Sequence, residues 1–361
     1  MFFGYQTLRR IKNNFFALRW LHAKTRRMVS SLQKDDENYQ TRMAQETQTY
    51  KDVEDINVLP KIFHYWSHTY VRPMLEEYGA SNPEQFFAKY LRISADRCKD
   101  SAPIFLSVGA GNCDTEVRIA RLMKDAGLSR FVIECLDMNS HTLQRGKELA
   151  EREGLIEHFA FLQGDFNTWT STRNYAGVMA NQSLHHVLNL EGLFDEVKRV
   201  LNPMGYFVIS DMIGRNGHQR WPEALTEVHR FWHELPANYR YNVQLGRREE
   251  MYENWDCSTS GFEGIRAQDI LPLLMERFKF RIFLGFGNVV DIFVDRGFGH
   301  NFNADMEWDM SFIDRIHAFD EESLKAGTLT PTHLIAVMTS QNDESAEYSR
   351  GLDPAKCVRL D

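Results

Sequence analysis

The feature that most constrains this chain is a strand–helix rhythm running from about Ile104 to Ser210. Ile104–Val108 is a short apolar run ending in glycines, and a helical pattern follows through Val117, Ile119, Ala120, Leu122 and Met123. Phe131–Leu136 predicts a second strand, followed by a helix from Leu143 to Ala150. His158–Leu162 and Gly177–Ala180 predict the third and fourth strands. A helix over Leu193–Leu201 and the turn Asn202-Pro203-Met204-Gly205 lead into a strand at Tyr206–Ser210. After an aromatic-rich insertion the rhythm resumes, with a helix at Ala267–Phe278, a strand at Phe280–Leu284, a helix at Phe312–Ala326 and a last strand at His333–Met338. Strands separated by helices pair in parallel and are covered on both faces. The expected fold is therefore α/β, with a doubly wound, mostly parallel sheet.

Around this domain, charge divides the chain. Residues 1–34 hold eight Lys or Arg and no acid against a total of −8, so the remainder carries −16. Leu8, Ile11, Phe15 and Leu18 fall at helical spacing among those bases, a basic amphipathic arm. Such an arm suits peripheral contact with an anionic membrane; a solvated arm is the plainer reading. Residues 35–55 read as an acidic polar linker. The α/β domain is expected over 56–340: a helical cap at 56–99, a ligand-binding core at 100–213, a lid or acceptor insertion at 214–266, and the rest of the sheet at 267–340. Residues 341–361 read as a loose tail. An acidic body repels a phosphate backbone, which argues against a nucleic-acid partner. Cys98, Cys113, Cys135, Cys257 and Cys357 are odd in number and scattered, which fits a reducing, cytoplasmic setting and no structural zinc. No apolar run approaches the ~18 residues of a membrane span.

In open parallel sheets, ligands bind beyond the carboxyl ends of the strands. The first strand ends in Gly109-Ala110-Gly111-Asn112-Cys113-Asp114, where glycines let backbone approach a ligand and a helix amino terminus offers N–H groups. Asp114 stands where a dinucleotide fingerprint needs its third glycine, which counts against a nicotinamide dehydrogenase. Asp137 ends the second strand, placed to accept hydrogen bonds from ribose hydroxyls; as a helix cap it competes with Asn139 and Ser140. Gly164-Asp165-Phe166 offers an acceptor and a ring edge to an adenine, and Asn181-Gln182-Ser183-Leu184-His185-His186 brings polar groups to the cleft.

In order and spacing, VGAGNCD, ECLDMN, LQGDF, NQSLHHV and RVLNPMGYFVISDM resemble the successive motifs of class I, Rossmann-like S-adenosylmethionine-dependent methyltransferases over residues 100–212. The resemblance implies a seven-stranded sheet whose terminal antiparallel strand is THLIAVM. It implies S-adenosylmethionine as cofactor. Gly109, Ala110 and Gly111 would line the methionine moiety, Asp137 would hold the ribose, and Met138 would flank the adenine. Gly164 belongs to the same turn as Asp165 and Phe166, which would hold the adenine amine and ring; Asn181 would lie near the methionine end. His186 would stand at the mouth of the acceptor pocket. The chain departs from the family pattern at Ser107, where an acid is frequent, at Cys113, where a glycine is frequent, and at Ala176, where an Asp is frequent.

Methyl transfer from a sulfonium is an in-line displacement that depends on alignment, and it needs a base only when the acceptor must lose a proton. His186 and His185 are the candidate bases; a structural role is the alternative. Phe63–Tyr78 predicts a helix that closes over the cofactor. The insertion's Trp221, Phe231, Trp232, Tyr239, Tyr252 and Trp255 suit either a water-excluding lid facing the cation or a small core of their own. His229 and His233 have the spacing of paired metal ligands but lack a third, so no metal is expected. NQSL replaces the NPPY-type motif of amide and amine methylating enzymes. A small-molecule acceptor is the expectation, whether metabolite, natural product, sugar or lipid precursor. The alternatives are a non-catalytic cofactor- or partner-binding module, or a protein or RNA methyltransferase. Oligomeric state and acceptor atom are not written in the sequence.

Overall fold

The computed structural model describes residues 36–51, 58–99, 101–341 and 345–359. The basic arm at 1–34, with its membrane reading, lies outside the described residues. Among the described residues the longer elements begin with α1 (Asp36–Lys51), α2 (Pro83–Cys98), β1 (Ile104–Val108), α3 (Asp114–Asp125), β2 (Val132–Asp137), α4 (Ser140–Arg152) and β3 (Phe159–Gln163). It continues through β4 (Tyr175–Asn181), α5 (Leu190–Val200), β5 (Leu201–Met212), α6 (Pro222–Glu234), the hairpin β6 (Tyr241–Asn242) and β7 (Arg247–Arg248), and α7 (Ala267–Arg277). Strand β8 (Lys279–Phe286), α8 (Glu307–Ala326), β9 (His333–Thr339) and the short β10 (Glu347–Tyr348) complete the order.

The main sheet has eight strands in the order β10-β8-β9-β5-β4-β1-β2-β3. Strands β1 to β5 pair in parallel, and β9 runs antiparallel between β5 and β8. Alternation along each strand builds two cores. Phe105, Met179 and Val208 enter one cluster, while Leu106, Val178 and Phe207 enter the cluster on the other face. Helix starts follow side-chain chemistry. Asn82 accepts Gln85 N–H ahead of Pro83, Asn139 accepts His141 N–H, and Asn189 accepts Gly192 N–H.

Four expectations change. The acidic stretch read as a linker is helix α1, which makes specific contacts with the domain: Arg42 donates to the carbonyls of Ser258 and Gly261, and Tyr39 packs on Phe262. Polar anchoring to distant loops leaves no apolar stripe for a sequence reader to find. The tail read as loose supplies β10, parallel to β8, and a one-turn helix at Pro354–Cys357, so the sheet has eight strands rather than seven. The turn Asn202–Gly205 is an irregularity within β5, where pairing with β4 shifts between Tyr175 and Gly177. Finally, Lys61–Trp66 and Arg72–Glu76, joined by a π-helical stretch at Ser67–Val71, pack on α8 rather than over the glycine turn. Tyr65 and Tyr70 donate to Asp314, and Tyr70 stacks on His317.

Phe231 and Trp232 of the insertion join the same core cluster as Phe105 and Val208, with Tyr239 and Tyr252 packed against it, while Trp255 is exposed. Trp232 is fully buried against Phe293, Phe298 and Tyr252, and Phe231 meets Phe312 of α8 edge to face. Segments on either side of β8 therefore form one cap beside the sheet.

Candidate functional site

The strand order reverses between β1 and β4, and the crevice beyond their carboxyl ends is where such sheets bind ligands. Gly109 and Gly111 turn there with φ of +70° and +52°. A Cβ on Gly109 would stand 2.4 Å from Ser183 Cβ, so only glycine lets the β1 and β4 loops meet. Gly111 has open space around its Cβ position, and its N–H donates to Asp137 Oδ2 at 2.8 Å. Asp137 Oδ1 accepts Asn139 N–H at 2.8 Å and the Thr142 hydroxyl at 3.3 Å. Asp137 thus ties the two loops together, while Asn139 caps α4. Burial pushes the Asp137 carboxyl above its ordinary range, and the three donors pull it only part of the way back.

A cavity of about 130 Å³ opens at this point. Of the residues expected in the site, Gly109, Gly111, Asp137, Met138, Phe166 and His186 line it together. Ala110, Gly164, Asp165, Asn181 and His185 are not part of that lining. Asp165 instead accepts the Tyr39 hydroxyl at 2.6 Å and Asn167 N–H at 2.9 Å, and Asn181 donates to Thr115. Helix α1 supplies Glu46 and Thr47 to the cavity wall, so the segment read as a linker roofs the site.

Two of the departures from the family pattern are answered locally. Ser107, where an acid was expected, donates to Glu116 Oε1 at 2.7 Å, so a carboxylate reaches the same place from α3. Cys113 takes the left-handed φ of 56° that a glycine would favour, and Gly146 of α4 leaves room for its sulfur.

Beyond the cavity lies a cluster that the sequence reading met only in part. His185 Nδ1 sits 2.6 Å from Asp211 Oδ1 at the end of β5, and Asp211 Oδ2 also accepts Ser183 and Leu184 N–H. His186 Nδ1 lies 2.7 Å from Glu46 Oε1. The Nε2 atoms of both imidazoles lie 3.5 Å from Glu263, on the insertion, and His218 Nε2 is 2.5 Å from Glu263 Oε1. Burial is the largest effect on His185 and opposes its charge, yet Asp211 and Glu263 outweigh it and push the imidazole up to about 10. Burial holds His218 below its ordinary value. Glu46, His218 and Glu263 carried no motif, and Asp211 stood at the end of RVLNPMGYFVISDM without an assigned role; the doublet His185-His186 was the one signal read as part of the site. His229 and His233 are not drawn into it: His229 bonds the Tyr252 carbonyl and His233 is exposed.

Cys113, Gln182 and His218, three of the five described non-glycine residues with left-handed backbone, stand around this cleft.

Residues 99–258 match the family described as a methyltransferase domain. Sterol 24-C-methyltransferase ERG6B of Gibberella zeae is 34% identical over 79 residues, 22% of this chain and 21% of that protein. Sterol 24-C-methyltransferase erg6 of Aspergillus fumigatus gives the same identity and coverage. The chain thus spans about a fifth of the length of these relatives. Among solved structures, geranyl diphosphate C-methyltransferase from Streptomyces coelicolor A3(2) aligns with a TM-score of 0.44 and 8% identity, covering 83% of this chain and 98% of that one. The family match covers residues 99–258, and the successive strand-end motifs, with an antiparallel β9 between β5 and β8, give the chain the fold of class I, S-adenosylmethionine-dependent methyltransferases.

Proposed function

We propose that this protein transfers a methyl group from S-adenosylmethionine to a small-molecule acceptor. The observation that carries the reading is the single cavity joining the Gly109–Gly111 turn, the Asp137 carboxylate, the apolar walls Met138 and Phe166, and His186. These residues fit the cofactor. A buried carboxylate held by N–H donors, and pushed up by burial, gains from two ribose hydroxyls. Met138 and Phe166 offer apolar surface to an adenine. The turn at Gly109 and Gly111, with Ala110 behind it, presents backbone to the amino-acid end, and Asn181 stands at that end of β4. Gly164 and Asp165 belong to the adenine side, where the Tyr39 hydroxyl of α1 holds one oxygen of the Asp165 carboxylate.

The bound cofactor supplies an electrophilic methyl group, and the residues of this chain supply alignment. Helix α1 excludes water from the roof through Glu46 and Thr47. His186 and His185 stand at the acceptor end, where they bear on any proton an acceptor hydroxyl would lose. The acidic body and the sterol methyltransferase relatives support a small-molecule rather than a nucleic-acid acceptor.

The test is transfer of labelled methyl from S-adenosylmethionine into a metabolite-depleted and a complete host extract, fractionated into small-molecule, lipid, protein and RNA pools. Label in the small-molecule or lipid pool is the expected result. Label confined to protein or RNA, or cofactor binding without label in any pool, would overturn it.

A further inference from the structure

We propose that His185, His186 and Glu263 bind one divalent transition-metal ion at the acceptor end of the cleft. One ligand atom from each lies within 4.8 Å of the others. For bonds of about 2.1 Å, donor atoms in a tetrahedral shell stand roughly 3.4 Å apart. Nε2 of His185 lies 3.5 Å from Glu263 Oε1 and Nε2 of His186 lies 3.5 Å from Oε2, distances near that edge and long for hydrogen bonds.

Each donor is also held from behind. Asp211 takes Nδ1 of His185, which directs its Nε2 lone pair toward Glu263, and Glu46 Oε1 lies 2.7 Å from Nδ1 of His186. His218 braces the Glu263 carboxylate. A carboxylate behind each imidazole is the arrangement that orients and strengthens histidine ligands in metal sites. Three carboxylates converge on this pocket, and a divalent cation answers their charge.

The bracing is built into the backbone. His218 adopts a left-handed φ of 55° after Gly217 at 65°. A Cβ on Gly217 would stand 1.9 Å from Asp256, and one on Gly264 would stand 3.1 Å from the His218 ring. The two glycines thus leave room for Asp256 and the His218 ring beside Glu263.

Two imidazoles and one carboxylate favour Zn²⁺, Co²⁺ or Fe²⁺ over Mg²⁺ or Ca²⁺, and three protein donors are the number found in catalytic zinc sites. The site rests on the geometry alone. Its use, to hold and acidify an oxygen donor of the acceptor beside the methyl group, rests on the methyl-transfer reading above.

The experiment is titration of the tag-free, chelator-treated full chain with Co²⁺ and Zn²⁺, reading visible d–d absorption and bound metal per chain. S-adenosylmethionine binding is measured in parallel by calorimetry. One Co²⁺ per chain, displaced by Zn²⁺ and not by Mg²⁺, is expected. Glu263→Gln should abolish stoichiometric binding, and Asp211→Asn should weaken it about 10–100-fold. The Glu263 side chain is 37% exposed, so that variant tests the site even if Asp211→Asn fails to fold. Cofactor binding with no metal uptake, or uptake unchanged in both Glu263→Gln and His186→Gln, would overturn the metal site and leave the methyl-transfer reading standing. Metal uptake without cofactor binding would do the reverse.

Discussion

At the scale of single residues, Asp137 shows how one side chain can serve both scaffold and ligand. It accepts from Gly111, Asn139 and Thr142, so its removal frees the glycine turn as well as the proposed ribose contacts. Each lost bond to a buried group costs about 1–3 kcal/mol. Asp137→Ala should therefore weaken S-adenosylmethionine binding by 10-fold or more, roughly one such bond, and also lower the melting temperature. Asp137→Asn keeps one acceptor oxygen and should fall between the two. Calorimetry on both variants checks this; unchanged affinity in Asp137→Ala would remove Asp137 from the cofactor site. Ser107 and Cys113 carry a related lesson. A substitution away from a family pattern can be answered by a residue elsewhere, Glu116 for one and Gly146 for the other, and no local motif reveals the answer.

At the scale of elements, α1 is the piece whose role depends most on its partners. It is attached by polar bonds, Tyr39 to Asp165 and Arg42 to the Ser258 and Gly261 carbonyls, with Glu46 accepting Phe262 N–H at 3.0 Å. Elements fastened mainly by such bonds open at lower free energy than packed core. We expect amides in residues 38–49 to exchange faster than those of α2, and to slow when cofactor binds beneath them. Losing one or two net hydrogen bonds at ~0.5–1.5 kcal/mol each should raise the cofactor off-rate about three- to tenfold in Tyr39→Phe or Arg42→Ala. Stopped-flow release checks this, and off-rates equal to wild type would show that α1 is no roof. The short helices at Lys61–Glu76 were expected in that role. Their tyrosines answer to Asp314 in the cap, a partner nearly 250 residues away.

At the scale of the whole molecule, two buried carboxyls report on cooperativity. Burial, the main cause in each case, pushes Glu116 under the sheet and Asp320 in the cap up to about 7. A carboxyl raised in the folded state contributes stability that is complete below its unfolded pKa, near 4, and is lost as pH rises through about 7. Each shift corresponds to at most about 3–4 kcal/mol. Relative to wild type, Glu116→Gln and Asp320→Asn should gain stability steadily between pH 5 and 8, whatever their fixed cost. If sheet and cap unfold together, both variants move one melting transition. Two transitions, each answering to one variant, would mean that the layers melt separately, and a gap independent of pH would refute the buried-carboxyl assignment. The sequence by itself determined seven of the sheet's eight strands, because alternating strands and helices repeat their apolar period locally and the glycine turn, Asp137 and Phe166 follow strand ends at short range. It also carried the resemblance to class I methyltransferases, through motifs read in one stretch. Only the tertiary structure decided that α1 covers the cavity, that Phe231 and Tyr239 of the insertion pack with α8, and that Glu46, Asp211, His218 and Glu263 surround the His185-His186 pair. Those residues come from four separated segments of chain, and a polar contact between distant segments leaves no periodicity in any one of them.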